Sequence, residues 1–282
     1  MDGAAGIVLA GGRSARMGQP KSGLPWHGST LLYRTAAVLR RAVDGPVVVV
    51  GAPGQRLPAL PAGVEVVADP VEGLGPMQGI AVGLAAVADR AATAFVCSTD
   101  MPFLHIAFVR RVLRELGAPE VDVALPVARG FRQPLAAGYR TALAGLTEEL
   151  VARGDLRPGM LSTHCHVRRL ADAELLADAT LALADPELES VVNLNTPEEY
   201  AEAHDRPPSE VTVRCFGALA GDGRRGPRPV CAATLGEAAT GVGLVLDRHV
   251  VAALNGERIT RDEQLPLVAG DTVAFRAAAG GG

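Results

Sequence analysis

The chain has 282 residues, of which 48% are hydrophobic, 4% aromatic and 21% charged, and its formal net charge at pH 7 is -4. This composition is typical of a folded protein with an aliphatic core and argues against a chain that is disordered over most of its length. The pI near 5.9 argues against a nucleic-acid partner, because proteins of that class usually present a basic face.

The sequence also argues against a membrane partner. No stretch approaches the roughly 18 uninterrupted apolar residues of a membrane span, and the N-terminus lacks the basic segment and long apolar run of a signal peptide. We therefore expect a cytoplasmic protein. We expect its cysteines to be reduced thiols, since they are too widely spaced for a C-x-x-C site.

Short apolar runs alternate with amphipathic segments along most of the chain, and this pattern predicts strands that are covered by helices on both faces. The predicted strands are residues 6–10, 46–50, 64–67, 93–97, 121–125, 133–139 and 167–170. The predicted helices are residues 30–42, a helix starting near residue 79, residues 141–153 and a helix that "NTPEEY" opens with a capping box. We predict an α/β, doubly wound domain with a mostly parallel sheet.

The character of the sequence changes at "DRPPSE", residues 205–210, a polar stretch with two prolines that is typical of a linker. After it, the alternation in "VTVRCF" predicts a half-buried strand, and Asn255-Gly256 favours a hairpin turn. A helix is expected around residues 232–240. We therefore predict a large domain at 1–204, a linker at 205–210 and a small β-rich domain at 211–282.

The segment "LAGGRSARMGQPK", residues 9–21, follows the first predicted strand directly. Its glycines let the backbone approach phosphates, and its two arginines and Lys21 supply positive charge. The spacing fits neither G-x-x-x-x-G-K-[ST] nor G-x-G-x-x-G. The segment is either a phosphate-binding loop or a glycine-rich turn with solvated charges.

A second signal is "CSTDMPFL", in which Asp100 follows another core strand. Ligands of open parallel sheets bind at the carboxyl ends of the strands, so Asp100 should face the same crevice as the glycine-rich loop. Beside phosphates a carboxylate is a natural Mg²⁺ ligand, and the alternative is an aspartate that caps the next helix. Asp69 also ends a strand, and "GLGPMQGI" is a second flexible loop that opens a helix at that edge.

Four segments in this order resemble the molybdenum cofactor guanylyltransferase family over residues 5–203: "LAGGRSARMGQPK", "GLGPMQGI", "STDMP" and "NLNTPEEY". The resemblance implies a Rossmann-like nucleotidyltransferase fold. It also implies the transfer of GMP from GTP to molybdopterin, the pterin of the molybdenum cofactor, with Mg²⁺ and with release of pyrophosphate.

The resemblance also implies roles for single residues. The implied nucleotide-binding residues are Leu9, Ala10, Gly11, Gly12, Lys21, Asp69 and Asp100. Arg16 and Lys21 would neutralise the phosphates, and Asp100 would hold the metal. Asn193 and Asn195 would lie on the pterin side, unless they are simply turn residues ahead of the capped helix. Arg132 is a further candidate to bind a phosphate of the pterin. The alternative is that it is a solvated charge at the end of a hairpin.

The choice of base is open at this point. "GQPK" is similar to the cytidylyltransferase branch, whereas the Gly11-Gly12 pair resembles the guanine-using branch. The loop "VVVVGAPG" has Gly51 where some relatives place an asparagine. A sugar-phosphate or isoprenoid-precursor nucleotidyltransferase is a weaker alternative, against which "NLNTPEEY" argues.

Residues 209–282 resemble the small subunit of molybdopterin synthase and its ubiquitin-like relatives, down to the terminal Gly281-Gly282. This second resemblance implies a β-grasp fold and a sulfur carrier that bears a thiocarboxylate on Gly282. Its partners would be the large synthase subunit and an adenylating enzyme. The alternatives are a degenerate domain with a disordered tail, or a chain that is chiefly a sulfur carrier.

Overall fold

The computed structural model describes residues 3–11, 20–221, 226–256 and 258–278. These residues divide into two compact units. The first unit contains the described residues of Met1–Leu24 and Leu31–Glu199, and the second unit contains those of Pro25–Thr30 and Tyr200–Gly282. Residues 25–30 therefore group with the C-terminal unit, which no pattern in the sequence indicated. The domain limits at 204 and 211 stay a prediction. No helix within the described ranges is long and apolar enough to cross a membrane.

The strands and helices are numbered in chain order. The strands are β1 Ala4–Leu9, β2 Pro25–Trp26, β3 Ser29–Thr30, β4 Val47–Gly51, β5 Val64–Ala68, β6 Thr93–Ser98, β7 Val123–Ala128, β8 Phe131–Arg132, β9 Ala136–Arg140, β10 Val167–Ala171, β11 Glu210–Cys215, β12 Arg228–Cys231, β13 Val250–Leu254, β14 Arg258–Thr260 and β15 Thr272–Ala277. The helices are α1 Leu31–Ala42, α2 Pro76–Val87, α3 Ile106–Arg114, α4 Ala144–Ala152, α5 Asp172–Leu176, α6 Ala179–Ala184, α7 Pro197–Asp205 and α8 Leu235–Gly241.

The first unit is built on a mostly parallel sheet in the order β10-β7-β9-β6-β1-β4-β5, with β8 paired to β7. Strands β6, β1, β4 and β5, of which β5 forms one edge of the sheet, are parallel to one another. Strand β9 is antiparallel to both β6 and β7. The predicted α/β fold with a mostly parallel sheet is therefore confirmed.

Close packing between α2 and β1 fixes the position of that helix. A Cβ atom on Gly83 would lie 2.5 Å from Cγ2 of Ile7, and one on Gly79 would lie 3.1 Å from a methyl carbon of Leu9. Small residues therefore let the helix lie directly on the strand. As a result, the N-terminus of α2 is held beside the carboxyl end of β1.

The second unit contains a five-stranded sheet in the order β12-β11-β15-β13-β14. The central strand β15 is parallel to β11, and the other pairs are antiparallel. One apolar face packs against α8, whose Leu235 and Ala238 are fully buried. At the β13–β14 turn, Asn255 and Gly256 have φ angles of 52° and 82°, as the predicted Asn-Gly hairpin requires.

The four cysteines are free thiols, as predicted. Cys97 and Cys215 are buried, Cys231 is exposed and Cys165 is half-buried. Burial raises the pKa of the Cys165 thiol to about 11. This thiol is therefore almost wholly protonated at neutral pH.

Candidate functional site

The carboxyl ends of β1, β4 and β6 meet at one edge of the sheet, because Leu9 pairs with Val50 on one side and with Ser98 on the other. A cleft of about 730 Å³ opens there, which is the size of a typical small-molecule site. Of the predicted site residues, the cleft is lined by Leu9, Ala10, Gly11, Lys21, Asp69 and Asp100. The parallel sheet therefore brings together residues that lie far apart in the sequence.

The glycine-rich segment begins tightly packed against the loop that follows β4. The backbone N–H groups of Ala10 and Gly11 both donate to the carbonyl of Val50, at 2.8 and 3.1 Å. A Cβ atom on Gly11 would lie 3.1 Å from the backbone nitrogen of Ala52, so this glycine permits the close approach. The predicted residues Gly12 and Arg16 lie outside the described residues.

On the far side of that segment, Lys21 begins a short 3₁₀ helix, Lys21–Gly23. Its ammonium lies 2.6 Å from Oδ2 of Asp100 and 3.2 Å from Oδ1 of Asn195. The Lys21 and Asp100 side chains are only 19% and 14% exposed. One cation thus joins the end of the glycine-rich segment, the end of β6 and the "NLN" segment.

Asp100 is held by a neighbour that the sequence did not single out. The hydroxyl of Ser98 donates to Oδ1 of Asp100 at 2.5 Å, so each carboxylate oxygen has its own partner. Asp100 does not cap the next helix, because α3 is capped by His105, whose ring accepts from the N–H of Ala107. The helix-cap alternative for Asp100 is therefore wrong.

The "NLN" segment is fixed from both ends. The N–H of Leu194 donates to the main-chain carbonyl of Asp100 at 3.0 Å. Carboxylate oxygen Oε2 of Glu199 accepts from the N–H groups of Asn195 and Thr196, and the Thr196 hydroxyl accepts from the N–H of Glu199. The predicted capping box is present and orients Asn195 towards Lys21.

The opposite wall of the cleft is formed by Asp69 and the start of α2. The N–H of Asp69 donates to the carbonyl of Gly51 at 2.8 Å, and its carboxylate accepts from the N–H of Val71. Helix α2 begins at Pro76 after Gly75, which has a φ of 80° and gives no side-chain cap. The first N–H groups of α2 can therefore donate hydrogen bonds to an anion in the cleft, and the helix dipole attracts it.

The remaining predicted positions among the described residues do not line this cleft. Arg132 does not line this cleft; it lines a separate pocket of about 40 Å³ together with Tyr139 and Arg169. Asn193 is close to the cleft, with its Oδ1 3.4 Å from the Ser98 hydroxyl. Gly282 lies outside the described residues.

Oxygen donors surround Asp100. The Ser98 hydroxyl contacts the Asp100 carboxylate and also the amide oxygen of Asn193, so three oxygen-bearing side chains lie together. Such donors suit Mg²⁺, which takes carboxylates, neutral oxygens and substrate phosphates. No group of three or more His, Cys, Asp or Glu residues that could hold a metal by itself occurs in the ranges that the structure describes. The residues therefore fit a metal that arrives with a phosphate ligand.

Comparison with known proteins gives consistent matches over the first unit. Residues 6–167 match the family of MobA-like NTP transferase domains. A probable molybdenum cofactor guanylyltransferase of Mycobacterium tuberculosis (strain ATCC 25618 / H37Rv) is 39% identical over 173 residues, which are 60% of this chain and 84% of that protein. Its counterpart in Mycobacterium ulcerans (strain Agy99) is 37% identical over 183 residues, 63% of this chain and 89% of that protein.

A solved structure shows the same fold. The molybdopterin-guanine dinucleotide biosynthesis protein A of Archaeoglobus fulgidus matches with a TM-score of 0.56, at 22% identity, over 71% of this chain and 97% of that chain. At this identity the likeness supports the Rossmann-like architecture and not the details of the site.

Proposed function

This chain belongs to the family of MobA-like NTP transferases and is a nucleotidyltransferase, and from that premise we propose that it transfers GMP from GTP to molybdopterin in molybdenum cofactor biosynthesis. The observation that carries the proposal is that Lys21 and Asp100 line a nucleotide-sized cleft as a contacting pair, with Asn195 bound to the Lys21 ammonium. Named relatives that are 39% and 37% identical support the same activity.

In the proposed reaction the terminal phosphate oxygen of molybdopterin attacks the α-phosphorus of GTP. The new O–P bond forms as the bond between the α-phosphorus and the bridging oxygen to the β-phosphate breaks, and pyrophosphate leaves. Nucleotidyl transfer of this kind needs accurate positioning and neutralisation of negative charge more than it needs a covalent intermediate.

Residues of this chain supply the positive potential. We assign Lys21 to the phosphates, together with Arg16 and with the N-terminus of α2 on the opposite wall. We assign Leu9, Ala10, Gly11 and Gly12 to the nucleotide at the end of β1. Asp69, whose carboxylate closes a turn at that edge, would face the nucleotide as well.

Asp100 is the proposed metal ligand, supported by the oxygen donors around it. When bound, Mg²⁺ would supply charge neutralisation at the phosphate oxygens. The ammonium of Lys21 is paired with the same carboxylate and balances its charge. We assign Asn193 and Asn195 to the pterin side, and Arg132 remains a candidate for a pterin phosphate.

The test is product formation. Purified protein with Mg²⁺, GTP and molybdopterin should yield the guanine dinucleotide, identified by its mass, and the Asp100→Asn variant should yield far less. The base choice is tested with the same assay, because CTP in place of GTP should give little product. Absence of a dinucleotide with both nucleotides would exclude the proposed activity.

For the second unit we propose a β-grasp domain that acts as a sulfur carrier. The support is its strand order, β12-β11-β15-β13-β14, in which the central strand β15 is parallel to β11 and one helix packs on the apolar face. The expected partners are an adenylating enzyme and the large subunit of molybdopterin synthase. Adenylation of Gly282 by the partner enzyme should consume ATP, and deletion of Gly281-Gly282 should abolish it. If the deleted chain is adenylated equally well, the carrier role is wrong.

A further inference from the structure

The side chain of Gln55 ties three segments of the first unit together. Its Oε1 accepts a hydrogen bond from the N–H of Ala52 at 2.8 Å, and its Nε2 donates to the carbonyl of Ala10 at 3.1 Å. The same Nε2 lies 3.5 Å from the hydroxyl of Ser22. Both ends of the carboxamide are therefore engaged, although Gln55 belongs to a loop and lines the cleft.

The partners of Gln55 flank the glycine-rich segment on both sides. Ala10 precedes the segment, and the buried Ser22 follows Lys21 directly. Ala52 is the residue against which Gly11 makes its close approach. One side chain thus contacts both the residue that starts the segment and the 3₁₀ turn that contains Lys21.

We infer that Gln55 is a positioning residue for the nucleotide, because its side chain contacts both flanks of the glycine-rich segment that we assign to the nucleotide. The inference rests on the proposed function and deepens it. A neutral carboxamide is required, since it donates and accepts at the same time, whereas an ionised carboxylate only accepts. Glutamate at this position would keep the shape, lose the bond to Ala10 and place negative charge against a carbonyl oxygen.

The experiment compares Q55E and Q55A with a matched control, Q133E. The amide of Gln133 also donates to a main-chain carbonyl, that of Ala128, so Q133E makes the same chemical change away from Gln55. Equilibrium binding of GTP with Mg²⁺ is titrated for each protein, together with KM and kcat. We expect Q55E and Q55A to weaken GTP binding and raise KM about tenfold, equivalent to about 1.4 kcal/mol, with kcat changed less. Q133E should bind GTP as the wild type does.

A pH profile separates positioning from a general loss of structure. Acidification protonates the glutamate of Q55E and restores a donor for the Ala10 carbonyl. The ratio of the Q55E and wild-type dissociation constants should therefore fall between pH 8 and pH 5, whereas the Q55A ratio should stay constant. A constant Q55E ratio would overturn the role given to the donor.

Other outcomes are equally decisive. If folded Q55E binds GTP as tightly as the wild type, the inference is wrong and the proposed function stands. If the wild type binds neither GTP nor CTP, the inference and the proposed function are both wrong. If neither Gln55 variant folds, the inference is tested by amide hydrogen exchange of the wild type with and without GTP. Added GTP should slow the amides of Gly11, Ser22 and Gln55, and unchanged rates would overturn the inference.

Discussion

The ammonium of Lys21 lies 2.6 Å from the carboxylate of Asp100, although 79 residues separate them in the sequence. The pair joins the flank of the glycine-rich segment to the end of β6, and Asn195 completes it from the start of α7. A partly buried ion pair is weak evidence for stability, since the desolvation of both charges offsets their attraction. Both residues line the cleft, and this position points instead to chemistry.

The first prediction concerns the charge of Asp100. Asp100→Asn removes the negative charge that Lys21 and a metal would share, so turnover should fall on the order of 10²-fold, and the Mg²⁺ concentration for half-maximal rate should rise. Initial rates across a Mg²⁺ titration measure both effects. The matched control is Asp44→Asn on the exposed segment after α1, which should leave the rates unchanged. Equal rates for the Asp100 variant and the wild type would contradict the assignment.

The second prediction compares two helical glycines. In α2, Gly83→Ala places a Cβ atom 2.5 Å from the Ile7 side chain, so the free energy of unfolding should fall by about 1–3 kcal/mol. In α4, a Cβ atom on Gly145 meets nothing within 4 Å, and Gly145→Ala should raise the free energy of unfolding by up to about 1 kcal/mol. Urea denaturation of the two variants measures the difference. Equal midpoints would show that α2 does not pack on β1 as described.

The third prediction concerns acid stability. The N–H of Leu181 donates to the Asp178 carboxylate and, with help from Arg114, lowers the pKa of this group below its ordinary value. The folded pKa is below the unfolded one, so the stabilisation is complete above about pH 4 and is lost as the pH falls through the folded value. Asp178→Ala should lose about 1 kcal/mol at pH 7, and its deficit should shrink towards pH 3. A loss of stability in Asp178→Ala that does not change with pH would contradict this assignment. Asp178→Asn keeps an oxygen that can cap the helix, so it should lose less stability than Asp178→Ala.

The fourth prediction concerns thiol reactivity. With a pKa raised to about 11, Cys165 has about 0.1% thiolate at pH 8, and it is also half-buried. Iodoacetamide at pH 8 should therefore modify the exposed Cys231 at least about tenfold faster than Cys165. Peptide mass spectrometry over a time course measures both rates in one sample. Faster labelling of Cys165 would mean that its surroundings open in solution.

The sequence predicted the main sheet well because its strands are continuous apolar runs. The ends of β1, β4, β5 and β6 fall within two residues of the predicted limits. Helix α2 was predicted to start near Gly79 but begins at Pro76, because Gly75 takes a left-handed φ and Pro76 suits the first helical position. The antiparallel pairing of β9 follows from a turn at Arg129 and Gly130, which apolar periodicity does not report.

The meeting of Asp100 with the end of β1 was predictable, since parallel strands place their carboxyl ends at one edge. The contacts made by Ser98 and Gln55 were not predictable, because the spacing of apolar residues indicates which residues are buried and not which polar atoms contact each other. In the second unit, Asn255-Gly256 indicated the hairpin locally. The pairing of β11 with β15 joins residues far apart in the sequence, so no local pattern predicts it.

The measurement that tests the account most directly is pyrophosphate release by the purified protein with Mg²⁺ and molybdenum cofactor, with GTP compared against CTP. The account predicts release with GTP, little with CTP, and a large loss of the GTP rate in the Asp100→Asn variant. Release with CTP alone would contradict the base assignment. No release with either nucleotide would contradict the central claim.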